Sequence, residues 1–383
     1  MAGWHGLQPV NGMKILVLNA GSSSLKFDLF EATPDSEKVL AKGEVERLAS
    51  MADAIESMFQ QLGDVSVEAV GHRIVHGGDR FHQSVIIDAE VEKQIEDLSI
   101  LAPLHNPHNL EAYRAAREHL PGAKHVAVFD TAFHHTLPPR AYAYGLPYEY
   151  LTEKKIRRYG FHGISHRYVS WRFAQLHEKT RADYKMITCH LGNGCSVCAI
   201  DHGRSIDTSM GFTPLEGLIM GTRSGDVDAG AILYLITHEC IAPPLLLQAL
   251  NSASGLKGLS GISNDMRDLL RESGRGNERA QLAVDAFCYR VRKYIGAYLA
   301  AMNGADVLIF AGGIGENSAA IRAQICAGLD NLGIAVDKEA NERESRDPRQ
   351  IGTSPIPVWV VPTDEELLIA RDTLRCILGI PHE

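Results

Sequence analysis

Apolar and polar positions along the chain follow one short design that appears twice. Residues 14–30 read KILVLNAGSSSLKFDLF: an apolar run, Ile15 to Leu18, a small polar turn, Asn19 to Ser24, then an alternation of Leu25, Phe27 and Leu29. Apolar runs bounded by glycine and serine predict strand, tight turn, strand. Residues 185–200, KMITCHLGNGCSVCAI, repeat the order. Elsewhere the periodicity predicts helices over 51–62, 88–101, 165–176, 228–238, 243–253 and 278–302. Further strands are predicted over 67–75, 125–129, 306–310 and 357–361. Pro103 and Pro107 predict a non-helical loop, followed by a helix to His119 capped by Asn109. A proline between them argues against His105 and His108 as a helical metal pair. The helix over 278–302 carries Leu282, Phe287, Val291, Ile295 and Leu299 on or near one face, and its tyrosines read as core or interface residues.

Two similar hairpins in one chain predict two similar domains, each offering its turn to a shared cleft. The fold class expected is α/β, resembling the duplicated actin-like (ribonuclease H-like) two-domain fold with a central interdomain cleft. The boundaries expected are an N-terminal extension over 1–12 and an N-terminal domain over 13–135 plus 367–383, with a returning C-terminal helix. A C-terminal domain fills 136–366, and the crossover falls in the proline- and tyrosine-rich stretch 136–160.

At 383 residues the chain is long enough for two or three cores. A formal charge of −9 argues against broad nucleic-acid or anionic-membrane binding. No apolar run approaches a membrane span, and the first residues lack the pattern of a signal peptide. Seven scattered cysteines suit reduced thiols in a cytoplasm. Cys189, Cys195 and Cys198, although near His190, read as small strand packers rather than metal ligands.

Candidate chemistry sits at strand ends and in glycine-rich loops. The first turn, with Lys26 just beyond it, can present donors to an anion, but it has no P-loop spacing. Arg73, at a strand end beside Gly77 and Gly78, reads as an anion ligand or a surface ion pair. Asp130 follows an apolar strand directly, where open α/β sheets place ligand-handling groups; a helix cap is the alternative. His162 lies in a Gly-flanked loop. Residues 205–228 run without a period and carry Arg223 as an exposed-looking cation in a flexible frame, suited to a transferring phosphoryl group. The turn 311–318 lets a planar ring or phosphate approach the backbone, with Asn317 as a helix cap. Glu365 and Glu366 open the last helix, where capping or water-mediated Mg²⁺ contact is open.

These segments, taken together, resemble the acetate kinase family of short-chain carboxylate kinases. The resemblance rests on LNAGSSSLKF, HRIVHGGDRF, APLHNP, FDTAFH, YGFHGISH, HLGNGCSV, DTSMGFTPLEGLIMGTRSGD, SNDMRD, GGIGENS and PTDEEL, in family order over nearly the whole length. It implies reversible transfer of the ATP γ-phosphoryl group directly to acetate, giving acetyl phosphate and ADP. Mg²⁺ is the implied metal, with Mn²⁺ as a substitute. The implied catalytic residues are Arg73, Asp130, His162 and Arg223. The apolar substrate pocket corresponds to Val75, Leu104, Phe161 and Pro214, alongside Arg73. Asn19 and Glu365 correspond to the metal positions, and Lys26 lies near the phosphates. The nucleotide segments of the C-terminal domain correspond to His190, Leu191, Gly192, Asn193 and Gly194, to Asp265, Met266 and Arg267, and to Gly312, Gly313, Ile314, Gly315 and Glu316. A homodimer is implied by resemblance as well. Ile164, Cys195, His108, Asp364 and Ala229 depart from the usual residues, and Asp364 adds charge beside the metal position. The rival readings are a propionate or butyrate kinase, a non-catalytic nucleotide-dependent scaffold, and a kinase using another donor such as pyrophosphate.

Overall fold

The computed structural model of the chain describes residues 12–21, 24–46 and 50–381. Residues 1–11 of the expected extension, and Ser22 and Ser23 of the first turn, lie outside the described residues. The chain divides into two compact units, Met1–Ala132 with Asp364–Glu383, and Phe133–Thr363.

The first unit holds β1 (Met13–Ala20), β2 (Ser24–Thr33), β3 (Ser36–Glu46), β4 (Ala69–Ile74), β5 (Val85–Ile86) and β6 (Lys124–Phe129) in one sheet, ordered β3-β2-β1-β4-β6-β5. β1 and β2 are antiparallel, with Leu18 opposite Phe27; β4 runs parallel to β1, and β6 to β4. The second unit holds β7 (Lys185–Leu191), β8 (Cys195–Asp201), β9 (Arg204–Thr208), β10 (Val307–Ala311), β11 (Arg349–Gly352) and β12 (Val358–Val360), ordered β9-β8-β7-β10-β12-β11. Subtracting six from each number reproduces the first order, and every strand direction matches as well. The fold is α/β and internally duplicated.

The four residues of the first apolar run, Ile15 to Leu18, are all buried, so both faces of β1 are covered. On one side helix Met51–Leu62, capped by Ser50, turns Met51, Ile55 and Met58 onto Leu16, Leu18 and Val70. Helix Glu365–Leu378 packs on the sheet at Gly71, where a Cβ would collide with Thr373 Oγ1 and come 2.8 Å from Ile369 Cγ2. That close approach requires glycine.

Helix Asn106–His119 corrects the sequence reading. Pro107 sits in its first turn, where the missing N–H costs nothing, and Asn109 is an interior residue, not the cap. Asn109 Oδ1 accepts from Val75 N (3.1 Å), and its Nδ2 donates to Ala20 O (3.0 Å). Asn106 likewise brackets His76, accepting from its N–H and donating to its carbonyl. The two amides clamp the ends of β1 and β4.

In the second unit helix Glu278–Met302 matches its expected span, and Phe287, Val291, Ile295 and Leu299 are buried. Leu282 is not; it is exposed, as is Tyr289. The buried stripe instead runs through Ala280, Ala283 and Val284, one position removed from Leu282. Helix Ala229–Thr237, AGAILYLIT, has no buried residue.

His72 on β4 is wholly buried and touches His125 on β6, Nε2 to Nδ1 at 2.9 Å. His125 Nε2 must donate to the Leu120 carbonyl (3.3 Å), so its Nδ1 accepts from His72. Burial and the neighbouring His125 hold His72 far below its ordinary range; burial lowers His125 too. Both rings are therefore neutral when folded, while in the unfolded chain they charge near pH 6.5. Stability should be complete above that pH and fall as pH drops, by at most about 1.4 kcal/mol per pH unit for each ring. Urea midpoints between pH 7.5 and 5.5 test this: the decline should shrink in a His72→Gln variant.

Candidate active site

Three parallel strands of the first unit, β1, β4 and β6, deliver polar side chains at or just beyond their C-terminal ends. Arg73 donates to Asp130 Oδ2 at 2.9 Å and to Asn19 Oδ1 at 3.2 Å. Asn19 Nδ2 in turn donates to Glu366 Oε1 at 3.0 Å. Asp130 is buried, so neither surface ion pair nor helix cap describes this contact. Burial pulls the Arg73 guanidinium down, but Asp130 and Glu365 outweigh it and keep it charged. Burial pushes the Glu365 carboxyl up, to about 7; Asp130 and Glu366 add to that, against Arg73 and Lys26.

Asp364 caps the last helix, accepting from Leu367 N at 3.0 Å. Capping is thus not the work of Glu365 or Glu366, whose carboxylates are left to the cluster. Asn19 bonds Glu366 rather than Glu365, so the expected metal pair has a third member. Among the described residues no three His, Cys, Asp or Glu side chains form a ready-made metal cage. An amide oxygen beside Glu366 and the raised Glu365 carboxyl still fits a hard cation that keeps water or substrate oxygens among its ligands. Val75 is buried near the clamp of Asn109, whereas Leu104 is half exposed.

In the second unit His162 takes a left-handed conformation (φ 56°) immediately before helix Gly163–Leu176. Its Nδ1 lies 2.9 Å from Ser196 Oγ on β8, and its ring lies against that of His190, with centroids 4.3 Å apart. A Cβ on Gly194 would come 3.0 Å from Arg223 Nη2 and 3.2 Å from His162 Nε2. Guanidinium and imidazole therefore converge where the turn between β7 and β8 has no side chain.

The segment around Arg223 is irregular, as expected, but its frame is braced rather than flexible. Arg158 donates to the carbonyls of Thr208, Ser209 and Met210 at 2.9–3.1 Å and to Glu216 at 2.5 Å. Tyr144 bonds Glu216 and accepts from Phe212 N. Arg290 and Tyr294 hold Gly217 and Asp226. Arg223 is half-buried and donates to Pro214 O at 2.7 Å. Phe161 is buried beside His162 in the chain. Sequence reasoning gave no role to Arg158, directly before YGFHGISH, or to Glu216, inside DTSMGFTPLEGLIMGTRSGD, because neither string shows that the two pair.

A cavity of about 670 Å³ draws together all three expected nucleotide segments. Its walls include Gly192, Asn193, Asp265, Met266, Arg267, Gly313 and Ile314, with Asn264, Leu270, Asn317 and Ser318 added to the expected set. His190, Leu191, Gly194, Gly312, Gly315 and Glu316 do not line it. His190 Nδ1 instead meets Ser165 Oγ (2.7 Å), and the Glu316 carboxylate accepts from Gly312 N and Thr363 N. The glycine turn is itself a helix, Gly312–Asn317; Asn317 ends it, donating to Gly313 O, and caps nothing. Asp265 is a cap, accepting from Arg267 N. Burial pushes the Cys195 thiol up to about 12, so it stays protonated beside this site.

Comparison with known proteins sets this geometry in a lineage. The chain matches the acetokinase family over residues 14–61 and 44–371. It belongs to that family. The acetate kinase of Solibacter usitatus is 48% identical over 97% of this chain and 100% of its own length. That of Thermotoga maritima is 48% identical over 95% and 99%. The crystal structure of Porphyromonas gingivalis acetate kinase superposes with a TM-score of 0.88 at 42% identity, covering 95% of this chain and 100% of that one. A propionate kinase from Francisella tularensis gives 0.89 at 38%, covering 96% and 100%. The acetokinase family's fold is therefore shared along nearly the whole chain.

Gly194→Ala tests the convergence in the second unit. The added methyl should displace Arg223 or His162 and lower kcat by roughly 10- to 100-fold. Thermal stability should hardly change, since Gly194 has an ordinary backbone conformation; steady-state kinetics and a melting curve check both.

Proposed function

We propose that the chain is a Mg²⁺-dependent acetate kinase, moving the γ-phosphoryl group of ATP reversibly and directly to acetate, with acetyl phosphate and ADP as products. The observation that carries the proposal is the convergence of Arg223 Nη2 and His162 Nε2 at Gly194, next in the chain to the Gly192–Asn193 wall of the nucleotide-sized cavity. Phosphoryl transfer asks little covalent help of a protein and much positioning and positive potential. Arg223 supplies charge to the phosphoryl oxygens and His162 a hydrogen bond. Arg73 takes the acetate carboxylate. Carboxylic acids ionise near pH 4 to 5, so acetate needs no base at neutral pH. Asp130 accordingly acts by fixing and neutralising Arg73, a role that their 2.9 Å bond supports.

Asn19, Glu365 and Glu366 are the groups that would hold Mg²⁺, with Lys26 near the phosphates. When bound, the cation screens the charge of the transferring group. Adenine is assigned to the cavity between Met266–Arg267 and Gly313–Ile314, and this favours ATP over pyrophosphate. We take the two units as the protein's N-terminal and nucleotide-binding domains. Val75, Leu104, Phe161 and Pro214 are assigned to the methyl group of acetate.

The chain is further read as a cytoplasmic homodimer. All seven cysteines are free thiols, which supports a reducing compartment. Among the described residues no helix is long and apolar enough to cross a membrane. The apolar helix Ala229–Thr237 exposes Leu233 and Tyr234, next to Leu245 and Leu247 of the following helix, Pro243–Gln248. Monomers seldom leave such surface uncovered, and a second copy is the natural cover.

Acetyl phosphate formation from acetate, ATP and Mg²⁺ tests the function. Arg223→Ala should lower kcat by about 10³-fold or more while the fold is kept. Unchanged activity in that variant would remove the assignment. Propionate should be a poorer substrate by about 1–3 kcal/mol in kcat/KM, the worth of one methylene in an apolar pocket. Sedimentation of Leu233→Glu should show monomer where wild type shows dimer.

A further inference from the structure

Behind His162 runs a line of hydrogen bonds that the reaction, as described, does not use. Ser196 Oγ lies 2.9 Å from His162 Nδ1 and 2.7 Å from His166 Nε2; His166 Nδ1 lies 2.7 Å from Thr188 Oγ1. Ser196, His166 and Thr188 are completely buried. Burial, with His134 and His190 nearby, holds His166 far below its ordinary range, so its ring is neutral.

A neutral imidazole has one N–H and one lone pair, and each hydroxyl has one proton to give. With each hydroxyl proton spent within it, the line runs in one of two senses. In the first, Thr188 donates to His166 Nδ1, His166 Nε2 donates to Ser196, and Ser196 donates to His162 Nδ1. The proton of a neutral His162 then sits on Nε2. In the second, every donor is reversed, and a neutral His162 presents a bare lone pair at Nε2. The two senses differ at the atom that shares the Gly194 position with the Arg223 guanidinium. A lone pair there repels a phosphoryl oxygen, whereas an N–H stabilises one. An imidazolium would also place a proton on Nε2, but the adjacent guanidinium disfavours a second cation.

We infer that Ser196, backed by His166 and Thr188, is a positioning residue that holds His162 as its neutral Nε2–H tautomer, aimed at the transferring phosphoryl group. The choice between the two senses rests on the proposed function, which needs a donor at Nε2, and the tautomer can be read without any assay of activity. In that tautomer His162 donates from Nε2 without first taking up a proton. Its left-handed backbone and its contact with the His190 ring fix the direction of the donor.

Nitrogen-15 NMR of the histidine rings at pH 7.5 reads the tautomer directly, and kinetics read its consequence. Wild type should show His162 protonated at Nε2 and accepting at Nδ1. Ser196→Ala should give a mixture of tautomers and lose kcat by roughly tenfold, less than the 10²–10³ of deleting a donor outright. The KM values for acetate and ATP should stay within about twofold. Thr188→Val, which is close to isosteric, should act in the same direction more weakly, and it carries both readouts if Ser196→Ala folds poorly. An Nδ1–H tautomer or an imidazolium in wild type overturns the inference, and so does wild-type kcat in folded Ser196→Ala. A wild type that makes no acetyl phosphate would instead defeat the proposed function, leaving the NMR result to decide the tautomer.

Discussion

The central strands of both sheets are covered on two faces, so polar chemistry leaves them only at their ends. Ile15 to Leu18 and Val307 to Ala311 are buried without interruption. A charge placed within such a run would be stripped of water with no partner in reach. In the first unit Asn19, Arg73 and Asp130 instead stand at or just past the strand ends, where three parallel neighbours bring them together. Arg73 tolerates its position because Asp130 answers its charge; removing one partner would leave the other buried and uncompensated. Gly71 completes the arrangement by letting the last helix approach the sheet closely, which carries Glu365 and Glu366 to the same place.

The second unit uses the same strand order for a different purpose. Its hairpin turn comes without side chains at Gly192 and Gly194, and this bareness admits Arg223 and His162. Arg223 comes from a stretch with no regular structure, which on its own would wander. Order is imposed by polar brackets rather than by a core: Arg158 takes three successive carbonyls, while Glu216, Asp226 and Tyr294 tie down the rest. Such networks are strong only when every member is satisfied. That explains why so many polar side chains gather around one loop.

What the sequence disclosed follows from the range of each signal. Long periodic elements were legible, such as helix Glu278–Met302, because many positions repeat one message. The duplicated hairpins were legible for the same reason. Edge strands such as β3 were not, since most of its residues face water and carry little pattern. Asn109 was misassigned because an asparagine near a helix start is usually a cap; only the fold shows that β1 and β4 end beside it. Pro107 misled in the same way, as a proline in a first turn looks like a breaker. Within the site, Arg158 pairs with Glu216 and Asn19 with Glu366 only through space, so the strings that contain them gave no sign of either pairing. The helix at Gly312–Asn317 turned an expected glycine loop into ordered backbone, and so removed Gly312, Gly315 and Glu316 from the cavity wall.

The charge balance of each unit explains how the labour is divided. In the first, three carboxylates, Asp130, Glu365 and Glu366, share their surroundings with Arg73 and Lys26, and burial pushes Glu365 up until its ionisation is no longer assured. An added cation beside such a cluster would favour the charged form of Glu365. The second unit differs. Arg223 meets the His162 ring at Gly194, and behind that ring burial holds His166 uncharged. The guanidinium is steadied by the Pro214 carbonyl, which accepts from it at 2.7 Å. The first cluster is thus rich in carboxylates that raise Glu365, whereas the second sets a guanidinium and an imidazole around a bare glycine.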